Sequence, residues 1–226
     1  MPARNKMFVL YRFAGWQAAL WWLAVAFLPL SAQAQPVKRE VDYRVIAQQP
    51  VESGERIEVI DFFFYACPYC NELLPHLERW LKRKPADVVF RRVPVVRHDS
   101  WAPLAKTYYT LEAMGEVERL HAAVYHSYHV EDLSMSQEKV IAEWAEKHGL
   151  DREKFMAIYR SDETRQKVEL ARKMTMDYDI QGTPSIVVDG RYLTSSSMTP
   201  GMPQVIPIID GLVRLARQQR LDKRGK

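Results

Sequence analysis

The sequence predicts an α/β protein whose sheet framework is interrupted by an all-helical insertion. Three observations carry this. Residues 56–96 read as strand, helix, strand. Residues 99–178 contain four stretches of helical periodicity and no strand pattern. Residues 182–220 then return to two short strands and a closing helix. A chain of 226 residues, 47% hydrophobic and 27% charged, has enough length and apolar content to bury such a core.

The elements follow in order. "VDYRVI" (41–46) suits a short strand and "QQPVESGE" a loop. "RIEVIDFFFY" (56–65) is a β-branched and aromatic run of strand length, interrupted only by Glu58 and Asp61, as in a strand covered on both faces. Beyond Cys67, the residues Leu73, Leu74, Leu77, Trp80 and Leu81 recur at helical spacing. Pro68 fits the first turn of that helix, where its missing N–H is not needed, and Pro75 should kink it. "DVVFRRVPVV" (87–96) reads as the next strand, closed by Pro94, so the unit is a right-handed βαβ with parallel strands.

In the helical block, Gly115 and Gly149 sit as C-terminal caps and Ser134, Ser136 or Asp151 as N-caps. Its last stretch, "DREKFMAIYRSDETRQKVELARKMTMDY", reads as continuous helix. The aromatic residues Trp101, Tyr108, Tyr109, Trp144 and Phe155 are its core. Asp189-Gly190 between two apolar runs then marks a two-residue hairpin. "MPQVIPIIDGLVRLARQQR" closes the fold as an apolar-striped helix with a frayed basic tail.

The first 34 residues carry Arg4, Lys6 and Arg12 and no acid, then an uncharged apolar stretch (13–30), then Ala32 and Ala34 flanking Gln33. This is the pattern of a secretory signal peptide (1–34) cleaved after Ala34; an uncleaved anchor is the alternative. The formal charge of +4 falls to about +1 once the leader is set aside, so the body is not a nucleic-acid binder. Export places the chain in the periplasm.

Cys67 and Cys70 are the only cysteines. A disulfide between them would close too short a loop to constrain an unfolded chain, so a structural staple is a poor reading. A zinc knuckle wants a second ligand pair, and His121, His126 and His129 lie in a helical pattern as surface or packing positions; no metal is expected. Redox catalysis remains. The attacking species in thiol–disulfide exchange is the thiolate, and a thiol of ordinary pKa is only about 3% ionised at pH 7. Cys67, at the start of a helix, faces unsatisfied N–H groups and the positive end of the dipole. Cys70 lies one turn further on the same face. Cys67 is then the outer nucleophile and Cys70 the buried resolver.

A Cys-x-x-Cys that follows a buried strand and opens a helix in a βαβ unit suits a thioredoxin-like motif. With "CPYC" at 67–70, the helical block between two sheet halves, and Thr183-Pro184 before the hairpin, the chain resembles the DsbA family of exported thiol:disulfide oxidoreductases. The resemblance implies a thioredoxin-like fold formed by 35–98 and 179–226, with 99–178 as an inserted helical domain. It implies a cis peptide at Thr183–Pro184 beside the cysteines, with nearby backbone open to an extended substrate. It implies that Asp61 is the buried acid that exchanges protons with Cys70; an ordinary strand carboxylate is the other reading. Substrates would be unfolded or newly exported proteins with cysteines, and a membrane quinone-linked oxidase of the DsbB type would restore the disulfide. No cofactor beyond the redox-active Cys67–Cys70 pair is implied.

The family's commonest central pair is Pro-His, whereas this chain has Pro68-Tyr69, and Thr183 before the proline is also less usual there. Both features are similar to the exported isomerase/reductase group. Tyrosine supplies no cation to the thiolate, so Cys67 is expected to be less acidic, and the protein a weaker oxidant, than a Pro-His relative. Three alternatives stay open. The first is an isomerase or reductase on the same fold, although residues 35–55 leave no room for the dimerisation domain of that group. The second is a peptide-binding chaperone module. The third, disfavoured by the leader and the intact cysteine pair, is a glutathione-using isomerase of small molecules.

Overall fold

The computed structural model describes residues 36–225; the leader and its cleavage site lie outside them. Five strands form one sheet in the order β1-β5-β4-β2-β3. They are β1 (Arg44–Val45), β2 (Ile57–Phe63), β3 (Val88–Pro94), β4 (Ser185–Val188) and β5 (Tyr192–Ser195). Strand β2 is central. It pairs parallel with β3, with Asp61 opposite Arg92, and antiparallel with β4, with Asp61 opposite Ile186. The parallel pair is joined by α1 (Pro68–Leu81), the crossover helix that βαβ geometry requires. Every residue of β2 is buried, in keeping with a strand covered on both faces.

Two layers cover the sheet. On one side Ile57 and Val59 pack with Leu73, Leu77 and Trp80 of α1 and with the C-terminal helix α7 (Met202–Arg224). The fully buried Trp80 donates its indole N–H to Asp210 of α7 at 2.7 Å, which joins the two helices. On the other side Ile60 and Phe62 pack against the helical block. That block is α2 (Ala102–Ala113), α3 (Val117–His129), α4 (Glu138–Lys147), α5 (Arg152–Tyr159) and α6 (Asp162–Asp177). Trp144 and Phe155 are buried within it, whereas Trp101 is half-buried and its ring stacks on that of Phe64, 4.0 Å away, beside the cysteine motif.

The punctuation agrees with the sequence in most places. Gly115 and Gly149 adopt φ of +74° and +77° after α2 and α4, the left-handed C-cap conformation. Asp189 and Gly190 both have positive φ, and Arg191 N–H returns to Val188 carbonyl at 3.2 Å, a two-residue turn of the primed type. Asp151 caps α5 by accepting from Lys154 N–H.

Several details differ. The stretch 151–178 is two helices: Ser161 turns to extended backbone and accepts the Thr164 N–H, so its capping bond starts a new helix. Ser134 and Ser136 do not cap α4; their hydroxyls bond each other, and Gln137 stands at the cap position. The basic tail is helical to Arg224 rather than frayed, because Arg217 pairs with Asp87 and Arg220 with Asp189, which fix it against the sheet end. Proline 75 lies inside α1, and the helix continues through it.

Candidate active site

The chain leaves β2 at Phe63, turns, and enters α1 at Pro68. Cys67 N–H donates to Phe64 carbonyl at 3.0 Å, which closes the turn. Cys67 then takes the N-cap position in extended conformation, with Pro68 in the first turn. N-caps are usually oxygen side chains that accept the free N–H groups of the helix. Here a sulfur occupies the place. Cys67 is half-buried, Cys70 is 4% exposed, and Tyr69 is 56% exposed.

The two thiols have opposite electrostatics. The Cys67 thiol is lowered to about 6. The Cys70 thiol, as hydrogen-bond donor, makes the largest contribution to this; the Thr183 side chain and the Cys70 and Tyr69 N–H groups add to it, and burial opposes it. The Thr183 carbonyl, 3.2 Å away, accepts from the Cys67 thiol and favours the protonated form, but the donors outweigh it. At pH 7 such a sulfur is about nine-tenths thiolate. Cys70 is pushed well above its ordinary value, first by burial, then by Cys67 and by the charge of Asp61. The position-69 contribution to the anion is thus a backbone one. The leading stabiliser is Cys70, which the dipole argument from sequence did not weigh.

Asp61 is 4% exposed and its Oδ1 has no hydrogen-bond partner. Burial raises it to about 7, and Cys67 adds to the rise, while Arg92 in the facing β3 position offsets part. A carboxyl near 7, electrostatically coupled to both sulfurs, can give or take a proton at neutral pH. The second buried acid, Glu58, serves differently. It lies within 3.2 Å of Arg91 as an ion pair, and its burial was not legible in the apolar run.

The Thr183–Pro184 peptide is cis and lies beside Cys67, as the resemblance implied. From Ser185 onward β4 is paired on both sides, and Pro184 carbonyl accepts from Ser196 N–H. The backbone next to the sulfur that no strand flanks is therefore the stretch before Pro184. Arg97 holds this stretch from below, donating to Gln181 carbonyl at 2.6 Å and Ile180 carbonyl at 3.3 Å. Sequence reasoning missed Arg97, which carries no local signal. It also missed Tyr65, whose phenol inside an apolar run needs a buried partner.

The site thus gathers Asp61, Cys67, Pro68, Tyr69, Cys70, Thr183 and Pro184 around one helix N-terminus. Comparisons with known proteins agree with its thioredoxin-like geometry. A family model described as a DSBA-like thioredoxin domain matches residues 58–205. The chain is 32% identical over 194 residues to the thiol:disulfide interchange protein DsbA of Burkholderia cepacia, covering 84% of this chain and 92% of that protein. It is 33% identical over 189 residues to the DsbA of Bordetella parapertussis, covering 83% and 89%. The crystal structure of Pseudomonas aeruginosa DsbA superposes with a TM-score of 0.78 at 29% identity, covering 81% of this chain and 96% of that one.

Proposed function

This chain belongs to the DsbA-like thioredoxin family, and we propose that within it Cys67 is the nucleophile, Cys70 the resolving thiol and Asp61 their proton carrier. The chain is a thiol:disulfide oxidoreductase that forms disulfide bonds and works through its own cysteine pair. What supports the assignment of roles is the opposed acidity of the two thiols, one held near 6 and the other pushed up.

The forward reaction starts from the Cys67–Cys70 disulfide. A substrate thiolate attacks Cys67 Sγ, the S–S bond breaks, and Cys70 leaves with the electron pair. A buried thiolate at Cys70 is unfavourable, and Asp61 can supply the proton. A second substrate thiolate then attacks the substrate sulfur of the mixed disulfide. Cys67 departs as its stabilised thiolate. The substrate loses two electrons and the enzyme is reduced. The stretch before Pro184 is the place for an extended substrate segment, with Thr183 against the sulfur.

Substrates are proteins with cysteines, newly exported ones in our reading, and a quinone-linked membrane oxidase of the DsbB type restores the disulfide. The compartment is the periplasm, with residues 1–34 as the exporting leader. Residues 99–178 form an inserted helical domain, and 35–98 with 179–226 form the thioredoxin-like domain. No helix among the described residues is long and apolar enough to cross a membrane.

Two measurements test this. Absorbance of the reduced protein at 240 nm should show one thiolate forming with a midpoint near pH 6; a first thiolate only above pH 8 would contradict the role of Cys67. The potential of the pair against glutathione decides direction. A strongly oxidising value supports donation, and one near cytosolic reductants supports the reductase reading that Tyr69 and Thr183 leave open. Tyr69→His should lower the Cys67 midpoint and make the protein more oxidising, because an imidazolium can pair with the thiolate. An unchanged or higher midpoint in that variant would remove position 69 from the account.

A further inference from the structure

Tyr65 stands two residues before Cys67 and is 1% exposed. Both of its polar ends are held by α3. Its hydroxyl shares a 2.8 Å hydrogen bond with His121 Nδ1. Its carbonyl accepts from His129 Nε2–H, also at 2.8 Å. His121, Tyr125 and His129 recur every fourth residue and so occupy one face of the helix. The Tyr125 ring lies 4.9 Å from that of Tyr65 and stacks, 6.1 Å away, on that of His129. Burial holds the His121 imidazole in its neutral form. The helical block therefore grips the residue that leads from β2 to the sulfur.

This grip bears on the chemistry. Tyr65 is the second residue of the turn that Phe64 carbonyl and Cys67 N–H close. The orientation of that turn sets where the sulfur lies relative to the Tyr69 and Cys70 N–H groups and to Thr183. Hydrogen bonds to a thiolate weaken steeply as they lengthen or bend. His121 is deep in the core, so its loss would disturb packing. His129 is half-buried and its contact is to backbone, so its effect can be separated from packing.

We propose that His129, acting through the Tyr65 carbonyl, is a positioning residue for the Cys67 sulfur, and that the helical insertion tunes the acidity of the thiol by this contact. The proposal rests on the reading of Cys67 as the nucleophile.

The test compares His129→Leu, which fills the volume without a donor, with His129→Gln, which restores an N–H at similar reach. Both are read by thiolate absorbance at 240 nm and by equilibrium with glutathione. In His129→Leu the thiolate midpoint should rise by about half a unit, a roughly threefold loss of thiolate stabilisation. The glutathione equilibrium should move about threefold toward the oxidised protein, because the reduced form has lost stability. His129→Gln should return both to the parent values. A parent-like midpoint and equilibrium in His129→Leu, or a Gln variant indistinguishable from Leu, would overturn the proposal. His129→Ala carries the same comparison if the Leu variant does not fold. The nucleophile reading fails separately, if the parent protein shows no thiolate near pH 6 or if Cys67→Ser keeps turnover.

Discussion

Replacing Cys67 with serine is expected to reduce oxidation of a dithiol peptide to the buffer background, a loss of more than about 10³-fold. Serine cannot form the S–S bond, and its hydroxyl is not ionised in this range. Replacing Cys70 gives a different failure. Disulfide exchange can still join Cys67 to a substrate or to glutathione, but no internal thiol remains to expel it. Cys70→Ser should therefore accumulate a covalent mixed disulfide through Cys67, seen as a reducible mass addition. Cys70→Ala, which leaves no donor at that place, should in addition raise the Cys67 midpoint, because the Cys70 thiol is the leading donor to that sulfur. Equal trapping by both single variants, or a Cys67 midpoint still near pH 6 without Cys70, would contradict the division of labour.

That division was half legible in the sequence. The order of the two thiols followed from a helix that begins at Pro68, since the N-terminal sulfur meets free N–H groups and the next turn is inside. The strand, helix and hairpin were legible because each is specified locally: β-branched runs, leucines at helical spacing, and Asp189-Gly190. The break at Ser161 was also written locally, as a serine followed by two acids, but continuous periodicity masked it. What sets the acidity of Cys67 is local in its leading part, the Cys70 thiol and the Cys70 and Tyr69 N–H groups, and distant in the rest. Thr183 approaches it from 116 residues away and His129 grips Tyr65 from 64 residues away, contacts that exist only after folding. The spacing of His121, Tyr125 and His129 was visible, but nothing in one helix says which strand its face will meet. Arg92 was likewise unreadable until the register placed it opposite Asp61.

Asp61 is where stability and chemistry should separate most clearly. Its carboxyl is raised from 3.8 to about 7 by burial. Below pH 4 it is protonated in both folded and unfolded chains and costs nothing. Between pH 4 and 7 the unfolded chain ionises it while the folded one does not, so the folded state loses about 1.4 kcal/mol per pH unit. Above pH 7 both are ionised and the deficit is constant, on the order of 4 kcal/mol. Asp61→Asn removes the charge and nearly keeps the shape, and one carboxylate oxygen has no partner to lose. Denaturant unfolding of the variant should match the parent near pH 4 and exceed it by that margin at pH 8. Turnover should move the other way. Cys70 is buried and resists ionisation, and without the carboxyl its proton must travel unassisted. Exchange at pH 7 should slow on the order of 10²-fold, the usual worth of a positioned acid or base. A variant that is both more stable and fully active would make Asp61 an ordinary strand carboxylate. One that is less stable at pH 8 would show that its charge attraction to Arg92 outweighs its burial. Stabilisation together with slowed exchange is the outcome that assigns the buried charge to the proton traffic of Cys70.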